Sequence, residues 1–169
     1  MPTLPYARLA EANGTDLGHS RWVLLEQAHF DAFAGVVAGS PWISSGPTSA
    51  PGGFLVSTIA NGHLMMSLLA TTLEELLCVD EDAVTIVCGA DHVRFSQPVQ
   101  VGDRVRGHAL ITEVHSLIDL VQAHVRVTLT TENTNKPVCV TTLVVRVIYP
   151  GQTPPPSPSP DLHAHNASD

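Results

Sequence analysis

From Ile59 to Leu77 the apolar residues recur three and four apart, at Leu64, Leu68, Leu69, Leu73, Leu76 and Leu77. That spacing predicts a helix. Met65 and Met66 fill the other side of its first turns, so the pattern predicts a helix buried on most of its faces. Asn61 stands where a capping side chain would take a free backbone N–H, and Gly62 would open the first turn. A shorter helix is expected over His29–Gly35, where Phe30 and Phe33 share one face. Beyond Leu77 the period shortens to two or gives way to β-branched runs. Strands are expected over Ala83–Cys88, Asp103–Val114, Val121–Thr131 and Val138–Ile148, with Asn133–Pro137 closing a hairpin between the last two. Gly102-Asp103 reads as a turn. One buried helix and several antiparallel strands predict an α+β domain, with a curved sheet wrapped around the helix.

Two segments fall outside this alternation. Ser40–Gly53 (SPWISSGPTSAPGG) is so dense in Gly, Pro and Ser that it reads as a loop, and loops of that length inside a domain tend to carry function. From Pro150 the chain turns to proline, serine and polar residues with almost nothing to bury. One domain is therefore expected over 1–149 and a disordered Pro/Ser-rich tail over 150–169. His163 and His165 in that tail would make a poor metal site, because a floppy chain must first be ordered.

Composition narrows the function. The 169 residues are 44% hydrophobic and 14% charged, so part of an unusually uncharged surface is expected to be covered by a partner subunit. The net charge is −8 with the cations scattered singly, which argues against binding nucleic acid. Phe54–Leu77, the longest apolar region, is interrupted by Asn61 and His63, so no membrane span is expected. Cys78, Cys88 and Cys139 are odd in number and lack CxxC spacing. They read as reduced thiols of a cytoplasmic protein, with neither a disulfide framework nor zinc. The start of the chain has neither the basic residues nor the apolar run of a signal peptide.

The blocks PWI, STIANGHLMMSLL and DHVRFSQPVQVGDRVR, in this order and at these separations, resemble the MaoC-like or NodN-like hot-dog dehydratases. This family includes (R)-specific enoyl-thioester hydratases. The likeness runs from about Leu17 to Tyr149. It implies a single hot-dog fold, a dimer, and an acyl thioester carried on coenzyme A or acyl carrier protein in a tunnel beside the helix. It implies no cofactor and no metal. In the family motif G-D-x-x-W-I-H, an Asp and a His five residues apart hold the water that adds to or leaves the β-carbon. The glycine of I-A-H-G offers its N–H to the thioester carbonyl.

Laid on those motifs, this chain has Gly39 at the Asp position and Ser44 at the His position, and reads Ile59-Ala60-Asn61-Gly62 for I-A-H-G. Neither Gly39 nor Ser44 accepts a proton near neutral pH, and general acid–base catalysis is worth roughly 10²- to 10⁴-fold. The oxyanion glycine is retained. The resemblance therefore implies Gly62, Asn61 and His63 as catalytic or auxiliary groups, and Ser40, Trp42, Ser44, Met66 and Arg94 as substrate contacts. Several have a plainer alternative: Asn61 as a cap only, His63 as a core histidine, the serines as solvated loop residues, and Arg94 as a strand-end charge. An Asp91–His92 dyad is disfavoured because neighbours on a strand face opposite ways. Cys88 is a candidate thiol nucleophile with His92 as its only adjoining cation, but a buried structural cysteine is the commoner reading. His108, His115 and His124 show no ligand spacing and no clustering. Recognition of a carrier would rest on a few surface cations, and Arg94, Arg104 and Arg106 are the only cluster available. Two readings result. One is a lyase, isomerase or cyclase acting on an acyl thioester or polyketide-like substrate, as in specialised biosynthesis. The other is a non-catalytic acyl-binding subunit of a hot-dog heterodimer, a pairing known in the related family.

Overall fold

A computed structural model describes residues 4–37, 59–80, 82–134, 136–149 and 151. The elements are α1 (Tyr6–Leu9), β1 (Asp16–His19), β2 (Val23–Leu24), α2 (Gln27–Val37), α3 (Gly62–Leu76), β3 (Val84–Phe95), β4 (Arg104–Ser116), β5 (Val121–Thr131) and β6 (Pro137–Ile148). The strands form one antiparallel sheet in the order β1-β4-β5-β6-β3, with β2 also pairing with β4. The α+β expectation holds, with α3 lying across the sheet's inner face.

β4, β5 and β6 carry the core because their side chains alternate. Val105, Ala109 and Ile111 of β4, Val121–Leu129 at every second position of β5, and Val145 and Val147 of β6 are buried towards the helix. On α3 the buried residues are Leu64, Met65, Leu69, Thr72, Leu73 and Leu76. These make one stripe, and His63, Ser67, Thr71 and Glu74 are exposed on the opposite side. The expectation of a helix buried on most faces is thus corrected. The polar residues keep a four- and three-residue period of their own, and the Ser67 and Thr71 hydroxyls turn back onto the carbonyls of His63 and Ser67 (3.1 and 3.0 Å).

Helix and sheet approach most closely at Gly107. A methyl group there would lie 2.1 Å from Thr72 Cγ2, so only glycine lets β4 pass under α3. The turn into β4 is a second place where glycine is required. Asp103 N–H donates to the Gln100 carbonyl (3.1 Å) and Gly102, between them, has φ 92°, as a type II turn demands.

The expected strand Ala83–Cys88 is in fact the first half of a twelve-residue strand, β3. It pairs along its length with β6 through two register shifts, at Val87/Gly89 and Asp91/Arg94. These shifts break the alternation that would reveal a strand. Among the described residues β3 is also the end of the sheet, with no strand on its other edge, so Asp91, His92 and Arg94 sit on it at no burial cost. The short helix is longer than expected, and Phe30 is its buried anchor. The N-terminal segment is held from a distance: Leu4 N–H donates to the Cys78 carbonyl, Tyr6 N–H to Asp80 Oδ2 (both 2.8 Å), and the Tyr6 ring lies 5.4 Å from that of Tyr149. The expectations for Ser40–Gly53 and for the tail lie outside the described residues.

Candidate functional site

Two motifs separated by more than thirty residues meet at the start of α3. Ile59 forms a β-bridge with Gln100, and Ala60 N–H donates to the Val99 carbonyl (2.7 Å). The I-A-N-G segment is therefore stitched to the chain leaving β3. Between them is a cavity of about 320 Å³, lined among others by Gly62, Met65, Phe95 and Val99.

Gly62 is the first residue of α3, so its N–H belongs to the helix's unpaired N-terminal donors. Among the described residues no acceptor is paired with it. The Phe95 ring lies 3.0 Å from where a Cβ of residue 62 would be, so the ring packs against the helix start where a larger residue would crowd it. Helix N-termini favour negative charge through these aligned N–H groups, so a carbonyl oxygen gaining charge would be stabilised here.

Asn61 caps the helix. Its Oδ1 accepts from His63 N–H (2.9 Å), which fixes the amide's orientation. The same oxygen lies 3.1 Å from His63 Nδ1. An amide oxygen only accepts, so Nδ1 carries the proton and Nε2 of neutral His63 keeps a free lone pair. His63 is exposed, so it is not the core histidine of the plainer alternative.

The structure thus brings together Gly62, Asn61 and His63. It separates others. Met66 is only partly buried and does not line the cavity; Met65, one position earlier, does. Arg94 is exposed, with Nη1 donating to the Val93 carbonyl (3.0 Å), and it too is absent from the lining. The arginine cluster does not form, since β5 and β6 stand between Arg94 on β3 and Arg104 and Arg106 on β4. Arg104 instead pairs with Glu132 (3.5 Å) and Arg106 lies over the Trp22 ring (4.5 Å). Gly39, Ser40, Trp42 and Ser44 lie outside the described residues. Phe95 is the contact that the reading of sequence missed, although it stands inside the VRF block.

Three further expectations are corrected. His92 has φ 55°, the only positive φ of a non-glycine among the described residues, so the rule of opposite-facing neighbours does not govern Asp91 and His92. Cys88 is exposed on the edge strand, and Cys139 is the buried thiol, its pKa pushed up to about 11 by burial. A thiol so rarely ionised is a poor nucleophile. The three histidines are not scattered. His108 Nε2 meets Asp16 Oδ1 at 2.8 Å with the His19 ring 4.7 Å away, while His115 and His124 gather with Glu113.

A curved antiparallel sheet holding a capped helix, with a glycine at the helix start lining a cavity, defines a hot-dog domain. The chain belongs to the MaoC-like domain family, whose model matches residues 8–134. It is 35% identical over 143 residues to 3-hydroxyacyl-thioester dehydratase Z of Mycobacterium tuberculosis, covering 84% of this chain and 95% of that protein. Its fold matches the crystal structure of a MaoC-like dehydratase from Rhodospirillum rubrum, with a TM-score of 0.68, 17% identity, and 82% of this chain and 93% of the other covered. It also matches the C-terminally truncated HadBC (3R-hydroxyacyl-ACP dehydratase) complex of Mycobacterium tuberculosis, with a TM-score of 0.60 and 14% identity over 80% and 96% of the two chains. Among the described residues no helix is long and apolar enough to cross a membrane.

Proposed function

We propose that this protein takes an acyl thioester, or a polyketide-like relative of one, with the thioester carbonyl on the Gly62 N–H, and carries out a lyase, isomerase or cyclase step. The observation that carries the reading is Gly62 itself: the first residue of a helix, its N–H without a partner among the described residues, in the lining of a cavity. A carbonyl polarised there makes its α-proton more acidic and stabilises the enolate that follows. The family's water-holding dyad is replaced by Gly39 and Ser44, so the step relies on an oriented substrate more than on an activated water. His63 Nε2, oriented through Asn61, is the group left to move a proton. The similarity to a 3-hydroxyacyl-thioester dehydratase supports the substrate class. The three free thiols support a reducing, cytoplasmic setting.

β3 supports a dimer. Among the described residues no strand pairs with its outer edge, Val84, Ile86, Val87 and Phe95 are exposed on it, and a long apolar edge invites a second strand. Phe95 also lines the cavity, so a partner on this edge would shield the site from water. The partner is a second copy of the chain or another hot-dog subunit, an arrangement that the HadBC complex illustrates.

The test uses a pair of variants. Asn61 has φ −63° and ψ 139°, the extended conformation required before a proline, and proline is well tolerated at a helix's first position. Gly62→Pro therefore removes the N–H while keeping the helix, and Gly62→Ala adds the same Cβ while keeping the N–H. With enoyl- and 3-hydroxyacyl-CoA substrates followed at the enoyl-thioester absorbance, the proline variant is expected to turn over about 10²- to 10³-fold more slowly than the alanine variant. His63→Ala should lose turnover as well. Equal rates in the Pro and Ala variants would remove Gly62 from the mechanism.

The double replacement at Gly39 and Ser44 favours one second reading, a non-catalytic acyl-binding subunit. It predicts no turnover by the protein alone, and a stable heterodimer on size-exclusion chromatography with an active hot-dog partner.

A further inference from the structure

We propose that Glu113, His115 and His124 form a binding site for a borderline divalent cation of the zinc class, on the outer face of the sheet and apart from the helix and its cavity. One ligand atom from each residue lies within 4.8 Å of the other two. His115 Nε2 is 2.9 Å from Glu113 Oε1, and the two imidazoles meet edge to face with centroids 5.9 Å apart. Glu113 and His115 are exposed and His124 is partly so, which leaves the group open to an ion from solvent.

A β-bulge creates this grouping. Along the first part of β4 the odd positions Val105, Gly107, Ala109 and Ile111 are buried and the even positions face outward. Continued without interruption, that alternation would aim Glu113 and His115 at the core. The register instead slips between Ile111 and Glu113, and Thr112 takes the extra position, its hydroxyl donating to the His124 carbonyl (3.0 Å). Val114 then becomes the buried residue, and Glu113 and His115 turn outward with Glu113 directly opposite His124. Bulges commonly re-aim side chains in this way.

The donor set selects the ion. Two imidazole nitrogens and one carboxylate oxygen suit zinc, and cobalt(II), nickel(II) or copper(II) with it, whereas calcium and magnesium prefer shells of oxygen. Zinc with bonds of about 2.0–2.2 Å holds its donors closer than 4.8 Å, so the side chains close by roughly 1 Å through rotation at the surface. Three protein ligands leave the fourth position to water. Gln122, opposite His115, directs its Oε1 to Arg146 Nε (3.2 Å) and its amide nitrogen to His124 Nε2 (3.4 Å). It thereby presents a donor to that nitrogen, which favours the tautomer with no proton on Nε2, and an ion bound there would displace this long hydrogen bond.

Zinc uptake by the full chain, measured in competition with a chromophoric chelator, tests the site. One equivalent is expected to bind saturably, with His115→Gln and His124→Gln each weakening it at least about tenfold and Glu113→Gln by less. Zinc should raise the melting temperature of the wild type and of a His163→Gln/His165→Gln variant, and fail to raise that of His115→Gln or His124→Gln. All three surface substitutions should leave the zinc-free melting temperature unchanged, so loss of binding is separable from loss of folding. With cobalt(II), the visible spectrum should show nitrogen and oxygen ligation without a thiolate charge-transfer band. The proposal is overturned if no saturable uptake occurs at micromolar zinc, or if uptake survives in His115→Gln and His124→Gln. Uptake that disappears with the tail histidines, or a thiolate band placing the metal on Cys78 or Cys88, overturns it equally.

Discussion

At Asn61 one oxygen serves two purposes. It caps α3 through the His63 N–H and holds the His63 ring through Nδ1, so cap and imidazole stand or fall together. Asn61→Ala is expected to cost about 1 kcal/mol of stability by urea unfolding, while Asn61→Asp, which also caps, should lose little. An unchanged midpoint in Asn61→Ala would mean the cap contributes nothing. This pair of residues was legible in the sequence because capping is a local matter, settled by neighbours two or three positions apart. The cavity's apolar floor was not. Met65 and Met66 differ by one position, about 100° around the helix, and only packing against the sheet decides which faces inward. The burial of Cys139 and exposure of Cys88 were hidden for a similar reason: composition does not say which strand is central and which is the edge.

Elements meet where small residues permit it, and Gly107 beneath Thr72 is the tightest such place. Gly107→Ala would put its methyl 2.1 Å from Thr72 Cγ2 and 2.8 Å from Thr72 Cβ, so a rotation of the threonine side chain cannot relieve the contact. Helix or strand must shift, and a loss of about 1–3 kcal/mol is expected, read as a lowered melting temperature. A wild-type melting temperature would show that the helix rides higher on the sheet than the contact implies. β5, paired on both sides, matches its sequence-based bounds residue for residue, because a central strand keeps strict alternation. β3 was half hidden, because an edge strand with two register shifts obeys no period. The same limit applies to β4: the bulge at Thr112 changes which parity faces outward, and nothing in the residue types around it announces the change.

For the molecule as a whole, acid should be the weak direction. The pKa of His19 is lowered, first by burial and then by the charges of Arg106 and His108, so its protonated form is disfavoured in the fold. The unfolded chain then binds more protons below its ordinary pKa of about 6.5, and stability present above that pH is lost as pH falls. Asp16, lowered first by the Gly18 N–H, adds a second loss further down, below about pH 4. Melting temperature is expected to fall between pH 7.5 and 5, with a shallower fall in His19→Gln; identical slopes would remove His19 as the cause. The N-terminal stitching bears on how such a chain comes to be folded. Leu4 and Tyr6 find their partners at Cys78, Asp80 and Tyr149, so the residues synthesised early receive their places late. Until β6 has been made, the sheet lacks the strand that joins β5 to β3, and Tyr6 lacks the ring it packs against. A nascent chain halted before Pro137 would hold a core without β6, its first helix tied only to Cys78 and Asp80, and folding during synthesis must therefore wait for the last strand of the sheet.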